Sequence, residues 1–148
     1  LQEFAPVGGR LQRHRAPGGA IVIDDSYNAN PDSVRAAIDV LALAPAPRIL
    51  VLGDMGEVGT QGREFHEEIA AYAATRAIDR VLATGELARH MKGEQIQHFE
   101  QLADLLAALD ARLTPHTTVL VKGSRFMRME RVVQHLLGTN NNNNKDTH

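Results

Sequence analysis

Two periodicities alternate along the chain. Short runs of consecutive apolar, mostly β-branched residues read as strands: "AIVID" at 20–24, "RILVL" at 48–52, "RVLAT" at 80–84 and "TTVLVK" at 117–122. Between them, apolar residues recur every three or four positions. Val34, Ile38 and Leu41 form one such set, and Phe65, Ile69 and Tyr72 a second. Leu102, Leu105, Leu106 and Leu109 form a third, and Met129, Val132, Val133 and Leu136 a fourth. Each set lays an apolar stripe along one helix. Asn30 is placed to cap the first helix, with Pro31 at its first position and Asp32 in its first turn. A short helix near Glu86–Met91 and a weak strand near Gln97–Phe99 complete the pattern.

Strand alternating with helix at this spacing means right-handed βαβ units and a parallel sheet. Runs such as "IVI", "ILVL" and "VLV" lack the apolar–polar alternation of a half-exposed strand, so the sheet is buried on both faces. The expected fold is α/β: a Rossmann-like, mostly parallel sheet of about five to six strands with helices on both faces. One domain spans 1–138. The Asn-rich stretch 139–148 has too little apolar surface to offset its ordering entropy, so it is expected to be a disordered polar tail.

Composition narrows the function classes. The 148 residues include 43% hydrophobic and 23% charged side chains, enough apolar material for one core. A net charge of −2 gives no bulk attraction to nucleic acid or an anionic membrane. There are no cysteines, which excludes disulfide frameworks and thiolate zinc sites. No apolar run approaches the ~20 residues of a membrane span, and no basic-then-apolar signal segment opens the chain. The default expectation is a cytoplasmic location. Leu1 opens the sequence, and "LQEFAPVGGRLQ" reads as entry into a domain from something upstream.

Ligands of open α/β sheets bind beyond the carboxyl ends of the strands. Here those ends are followed by Asp24-Asp25-Ser26-Tyr27-Asn28, by Gly53-Asp54-Met55-Gly56-Glu57, by Thr84-Gly85 and by Lys122-Gly123-Ser124-Arg125. Carboxylates, amides and two cations would therefore converge on one edge, beside helix N-termini that favour anions. Asx residues also close turns without any ligand, so any one of these positions is equally well explained by local structure. The convergence of four strand ends is what favours function. Asn30, Pro31 and Asp32 are most simply capping residues. His66 begins "HEEIA" without the second histidine of a zincin helix, and reads as a plain helix residue. Arg13 and Arg15 fit a solvated strand end as well as a phosphate contact.

No Gly-Lys dipeptide is present, so there is no Walker A loop. No G-x-G-x-x-G follows the first strand, and no G-x-S-x-G elbow appears. A domain of this kind that handles ATP supplies side contacts while another domain grips the phosphates. A receiver-like, phosphoryl-accepting domain would use Asp24-Asp25, Asp54, Thr84 and Lys122 at strand ends. Its spacing fits poorly, because Asp25 and Asp54 are separated by one helix crossover instead of two.

The segments "DDSYNANPDS", "VLGDMGEVG", "IDRVLATG" and "VLVKGSRFMRMERVV", in that order, resemble the carboxy-terminal domain of the Mur ligase family. The resemblance runs from about Phe4 to Leu137, and "PVGGRLQ" fits the family's Gly-Arg entry. It points to the branch that joins D-Ala-D-Ala to UDP-MurNAc-tripeptide in peptidoglycan synthesis. The alternative is a sibling ligase that takes a different amino component and usually carries a D-Y-A-H type turn at the first site.

The resemblance implies an ATP-dependent amide ligase working through an acyl phosphate. ATP and Mg²⁺ would be held mainly by a central domain outside this sequence, and the isolated domain would be inactive. It implies that Arg10 reaches the ATP phosphates or ribose and that Asp25 contacts the nucleotide. Asn28 and Asn30 would lie in the turn that faces nucleotide and dipeptide, with Tyr27 packing beside them. Lys122, Ser124 and Arg125 would take the free carboxylate of D-Ala-D-Ala. Asp54 and Glu57 would hold its ammonium group or only shape their loop. Phe126 and Met127 are bulkier than in some relatives.

Overall fold

The computed structural model describes residues 11–138. Arg10 and the Asn-rich stretch from Thr139 lie outside the described residues. Six strands form one sheet in the order β1-β2-β6-β3-β4-β5. They are β1 (Gln12–Arg15), β2 (Ile21–Asp25), β3 (Arg48–Gly53), β4 (Arg80–Thr84), β5 (Ile96–Phe99) and β6 (Thr118–Lys122). The helices are α1 (Pro31–Ala42), α2 (Gly62–Thr75), α3 (Leu102–Arg112) and α4 (Glu130–Leu137). Every strand pair is parallel except β1 with β2. The expected α/β architecture is therefore present.

Successive strand residues feed two different cores. Ile23, Leu50, Leu52, Val81, Ala83 and Leu120 pack with α1 and α2 on one face. Val22, Ile49, Val51, Leu82, Val119 and Val121 pack with α3 and α4 on the other. This is why the apolar runs are unbroken: each neighbouring side chain has its own helix layer to meet. Burying each such side chain contributes roughly 1.5–3 kcal/mol.

α1 starts where expected. The Asn30 side chain accepts from Ser33 N at 2.9 Å, the Ser33 hydroxyl accepts from Asn30 N at 3.0 Å, and Pro31 follows the cap. Two details differ from expectation. The segment 86–91 forms only a single 3₁₀ turn, Ala88–His90, because Met91 is already extended at its end. The polar stretch Gln12–Arg15 is an antiparallel edge strand, joined to β2 by a turn in which Gly19 has φ +107°. Arg13 and Arg15 are exposed on that edge, and Arg15 Nη1 donates to Gly19 O at 2.8 Å.

Chain direction creates the site. After β2 and β3 the chain turns to the α1–α2 face, and after β6 it turns to the α4 face. β6 lies between β2 and β3. The carboxyl end of β6 is thus flanked by chain leaving the opposite way, which opens a crevice there.

Candidate functional site at the carboxyl edge of the sheet

Asp25 and Lys122 are register partners at the ends of β2 and β6. Lys122 Nζ lies 3.0 Å from Asp25 Oδ2, with side chains 3% and 11% exposed. The same ammonium donates to Asn28 O at 2.8 Å. A buried lysine needs such partners to stay charged. Lys122 therefore ties the turn after β2 to the strand beside it. Within the turn, Asp24 Oδ1 accepts from Ser26 N at 3.1 Å and Ser26 Oγ at 2.6 Å, an Asx turn. Asn28 Oδ1 accepts from Ala29 N at 2.9 Å.

The turn after β3 is a hub of four consecutive residues. The Asp54 carboxylate is buried and accepts from Leu87 N at 3.0 Å and Ala88 N at 2.8 Å. Asp54 O accepts from Ser124 N at 2.9 Å, and Gly56 N donates to Ala29 O at 2.7 Å. Met55 N donates to His66 Nε2 at 3.1 Å. Glu57, exposed and held at φ +60°, accepts from Asn30 Nδ2 at 3.3 Å. The Asp54 carboxylate is thus consumed in holding the 88–90 turn. That also disfavours the receiver-like alternative, since its phosphoryl acceptor would have to be open to the crevice.

After β6, Gly123 lets backbones close. A Cβ there would lie 2.5 Å from Met129 Cγ and 3.3 Å from Gly53 Cα. Ser124 is buried, and its hydroxyl has no hydrogen-bond partner among the described residues. Arg125 is exposed, with its guanidinium carbon 5.0 Å from the centroid of the Tyr27 ring. Tyr27 and Phe126 are the exposed aromatics of this edge, at 43% and 69%.

Asp25, Tyr27, Asn28, Asn30 and Lys122 line one pocket of about 320 Å³, whose apolar wall includes Leu11, Ala37 and Val40. A second pocket of about 320 Å³ is lined by Asn30, Asp32, Arg35, Glu57 and Phe65. Asn30 joins the two. Asp54, Ser124 and Arg125 line neither. Among the described residues, no group of three or more His, Cys, Asp or Glu side chains could hold a metal ion.

His66 reads as a plain helix residue in the sequence, and the structure gives it a different place. It is fully buried in α2, bonded on both ring nitrogens, with Nδ1 2.6 Å from Gly62 O. Burial lowers its pKa below the usual histidine value, against the opposing pull of the Gly62 carbonyl and the Asp54 carboxylate. "HEEIA" carries no sign of this, because the partner is the backbone of a distant loop.

Residues 9–125 match the Mur ligase C-terminal family, described as "Mur ligase, glutamate ligase domain". The chain belongs to this family. Its named relatives place it near one branch. It is 36% identical over 140 residues to the UDP-N-acetylmuramoyl-tripeptide–D-alanyl-D-alanine ligase of Escherichia coli, covering 92% of this chain and 31% of that protein. The Bacillus subtilis ligase of the same name is 33% identical over 147 residues, covering 93% and 32%. The structure of the MurF ligase from Thermotoga maritima in complex with ADP superposes with a TM-score of 0.83 at 28% identity, covering 93% of this chain and 32% of that one. The chain thus spans about a third of the length of the relatives it matches.

Proposed function

We propose that this chain is the amino-component-binding domain of a cytoplasmic MurF-type ligase, which joins D-Ala-D-Ala to UDP-MurNAc-tripeptide with ATP. The observation that carries this is the likeness to MurF-type ligases over 93% of the chain. It favours this branch over a sibling with another amino component. Among the described residues no helix is long and apolar enough to cross a membrane.

The pocket beside β2 supports a nucleotide contact. It pairs the Asp25 carboxylate and the Asn28 side chain with an apolar wall from Leu11 and Val40, a combination suited to sugar hydroxyls and a flat base. ATP, when bound, supplies the phosphoryl group that activates the tripeptide carboxylate. Its Mg²⁺ is assigned to the upstream part of the ligase. Arg10 stays in the proposed nucleotide set from its sequence position alone.

The dipeptide groups divide according to exposure. Arg125 is solvent-facing and cationic, and suits the free carboxylate through charge-assisted hydrogen bonds. Glu57, exposed and oriented by Asn30, suits the ammonium group. Asp54 shapes the loop. Lys122 acts by fixing Asp25 and Asn28, since its ammonium already has two partners. Ser124 is buried and stays in the proposed dipeptide set from its sequence position beside Arg125, and Tyr27 supports Arg125. The domain's work is orientation and water exclusion.

The test is phosphate release from ATP by the full-length protein with UDP-MurNAc-tripeptide present. Release that requires D-Ala-D-Ala supports the proposal. Release driven by a free diamino acid moves the chain to a sibling ligase. No amine-dependent release from folded, ATP-binding protein overturns it.

A further inference from the structure

The hub 54–57 touches every other segment of the edge through backbone or carboxylate bonds, and one side chain reaches it from behind. That side chain is His66. Its Nδ1, 2.6 Å from the Gly62 carbonyl, must carry the proton, because a carbonyl only accepts. Its Nε2, 3.1 Å from Met55 N, must then be bare, because the amide only donates. Both bonds require the neutral Nδ1–H tautomer. The ring is fully buried, so no water replaces either partner.

We propose that His66 is a positioning residue for the ligase reaction: as the neutral Nδ1–H tautomer it fixes Met55, and through the 54–57 hub it sets Glu57, Ala29 and Ser124 for the amino component. The proposal rests on the MurF-type reading of the site. The chain of contacts is short. Met55 is followed by Gly56, whose N–H holds Ala29 O at 2.7 Å, and then by Glu57, which meets Asn30. It is preceded by Asp54, whose carbonyl holds Ser124 N at 2.9 Å. Protonation of Nε2 sets an N–H against the Met55 N–H, and the loop must then move. The titratable groups facing the ring are Asp54 from the hub, which favours the cation, and His90 from the 88–90 turn, which opposes it. Burial reinforces His90, so the latch stays closed at neutral pH and opens on acidification.

The full-length ligase tests this with three variants and two readouts. In His66→Leu the KM for D-Ala-D-Ala at pH 7.5 rises about tenfold, the equivalent of one lost buried hydrogen bond, while the KM for ATP changes less than about twofold. His66→Gln keeps an acceptor for Met55 N and carries no charge at any pH. It restores the KM to within about threefold, and its KM no longer climbs on acidification as the wild type's does. His66→Asn places a donor near Gly62 O but no acceptor at Met55, and behaves like His66→Leu.

The second readout needs no activity and survives failure of the ligase reading. Imidazole ¹⁵N shifts of the wild type show a bare Nε2 and a protonated Nδ1 at pH 7, and amide exchange at Met55 and Gly56 is slow. In His66→Gln that exchange stays slow, and in His66→Asn it quickens at least tenfold. Any of four results overturns the proposal. One is an Nε2–H tautomer, and another is a ring already charged at pH 7. The third is unchanged amide exchange in His66→Asn. The last is a folded His66→Leu enzyme with the wild-type KM for D-Ala-D-Ala. If His66→Leu fails to fold, the wild-type shifts and the Gln–Asn contrast decide. Absence of D-Ala-D-Ala-dependent turnover in the wild type is the separate failure of the ligase reading.

Discussion

Asp25 and Lys122 face each other at the last register position of β2 and β6, 3.0 Å apart and almost wholly removed from water. Two charges in that setting hold their turn in place, and each depends on the other. Removing the lysine strands a buried carboxylate, which costs about 3–5 kcal/mol. Lys122→Met is therefore expected to lower unfolding stability by that amount in urea titrations of the full-length protein. Adding Asp25→Asn to it recovers about 1–3 kcal/mol, the interaction energy of a close pair. If instead Lys122→Met unfolds like wild type and only the KM for D-Ala-D-Ala suffers, the lysine is a substrate contact and not a brace.

Arg125 gives the converse case. It is exposed and stacked on an exposed Tyr27, 5.0 Å from the ring centroid. A surface cation–π pair contributes about 0.5–1 kcal/mol, so Arg125→Ala is expected to leave the urea midpoint nearly unchanged. A lost charge-assisted contact to the dipeptide carboxylate is worth about 1.5–3 kcal/mol, or roughly 10–100-fold in affinity. Steady-state kinetics of Arg125→Ala should show that rise in the KM for D-Ala-D-Ala. Arg125→Lys recovers only part of it, since the planar fork is lost.

Asp54 separates loop-shaping from ligand binding. Its carboxylate accepts from Leu87 N and Ala88 N, and Gly85 stands so close that a Cβ would lie 2.2 Å from Asp54 Oδ1. Gly85 also has φ +120°, where an L side chain is strained. Both Asp54→Ala and Gly85→Ala are expected to lower unfolding stability by about 2 kcal/mol or more, and the melting temperature with it. In the purified variants any change in KM follows that loss of stability. A direct ammonium contact would instead raise the KM in Asp54→Asn without lowering the melting temperature.

Much of this was legible in the sequence because burial leaves a pattern. Strands buried on both faces could only read as "ILVL" and "VLV", and Asn30 with Pro31 announced the start of α1. Polar strand ends marked the edge of the sheet. What escaped had no such pattern. Gln12–Arg15 is polar throughout, because an edge strand needs only one partner and no second layer. The turn at 88–90 is one turn long, since Asp54 supplies its acceptors from another segment. The roles within the edge were also hidden. Asp54 and Glu57 are three residues apart in one loop, yet one is consumed by backbone amides and the other is open. His66 escaped because its partner is a main-chain amide, and backbone partners have no letter in the sequence.

The buried histidine also makes stability depend on pH, with a definite sign. Burial lowers the folded pKa of His66 below the value near 6.5 that it has when unfolded. Between those two values the unfolded chain binds the proton and the folded chain does not. Stability contributed by the neutral ring is therefore complete above about pH 6.5 and falls as pH drops toward the folded pKa. Each unit of separation is worth about 1.4 kcal/mol. The chain carries other ionisable groups, so the wild-type profile alone does not isolate the effect. Subtracting the profile of His66→Gln does, because that variant keeps every other group and has no ionisable ring. Urea unfolding from pH 8 to 5 is expected to give a difference that is flat above about pH 7 and declines steadily below 6.5. A difference that stays flat to pH 5 would mean that the ring accepts its proton without leaving Met55, which its two fixed partners forbid.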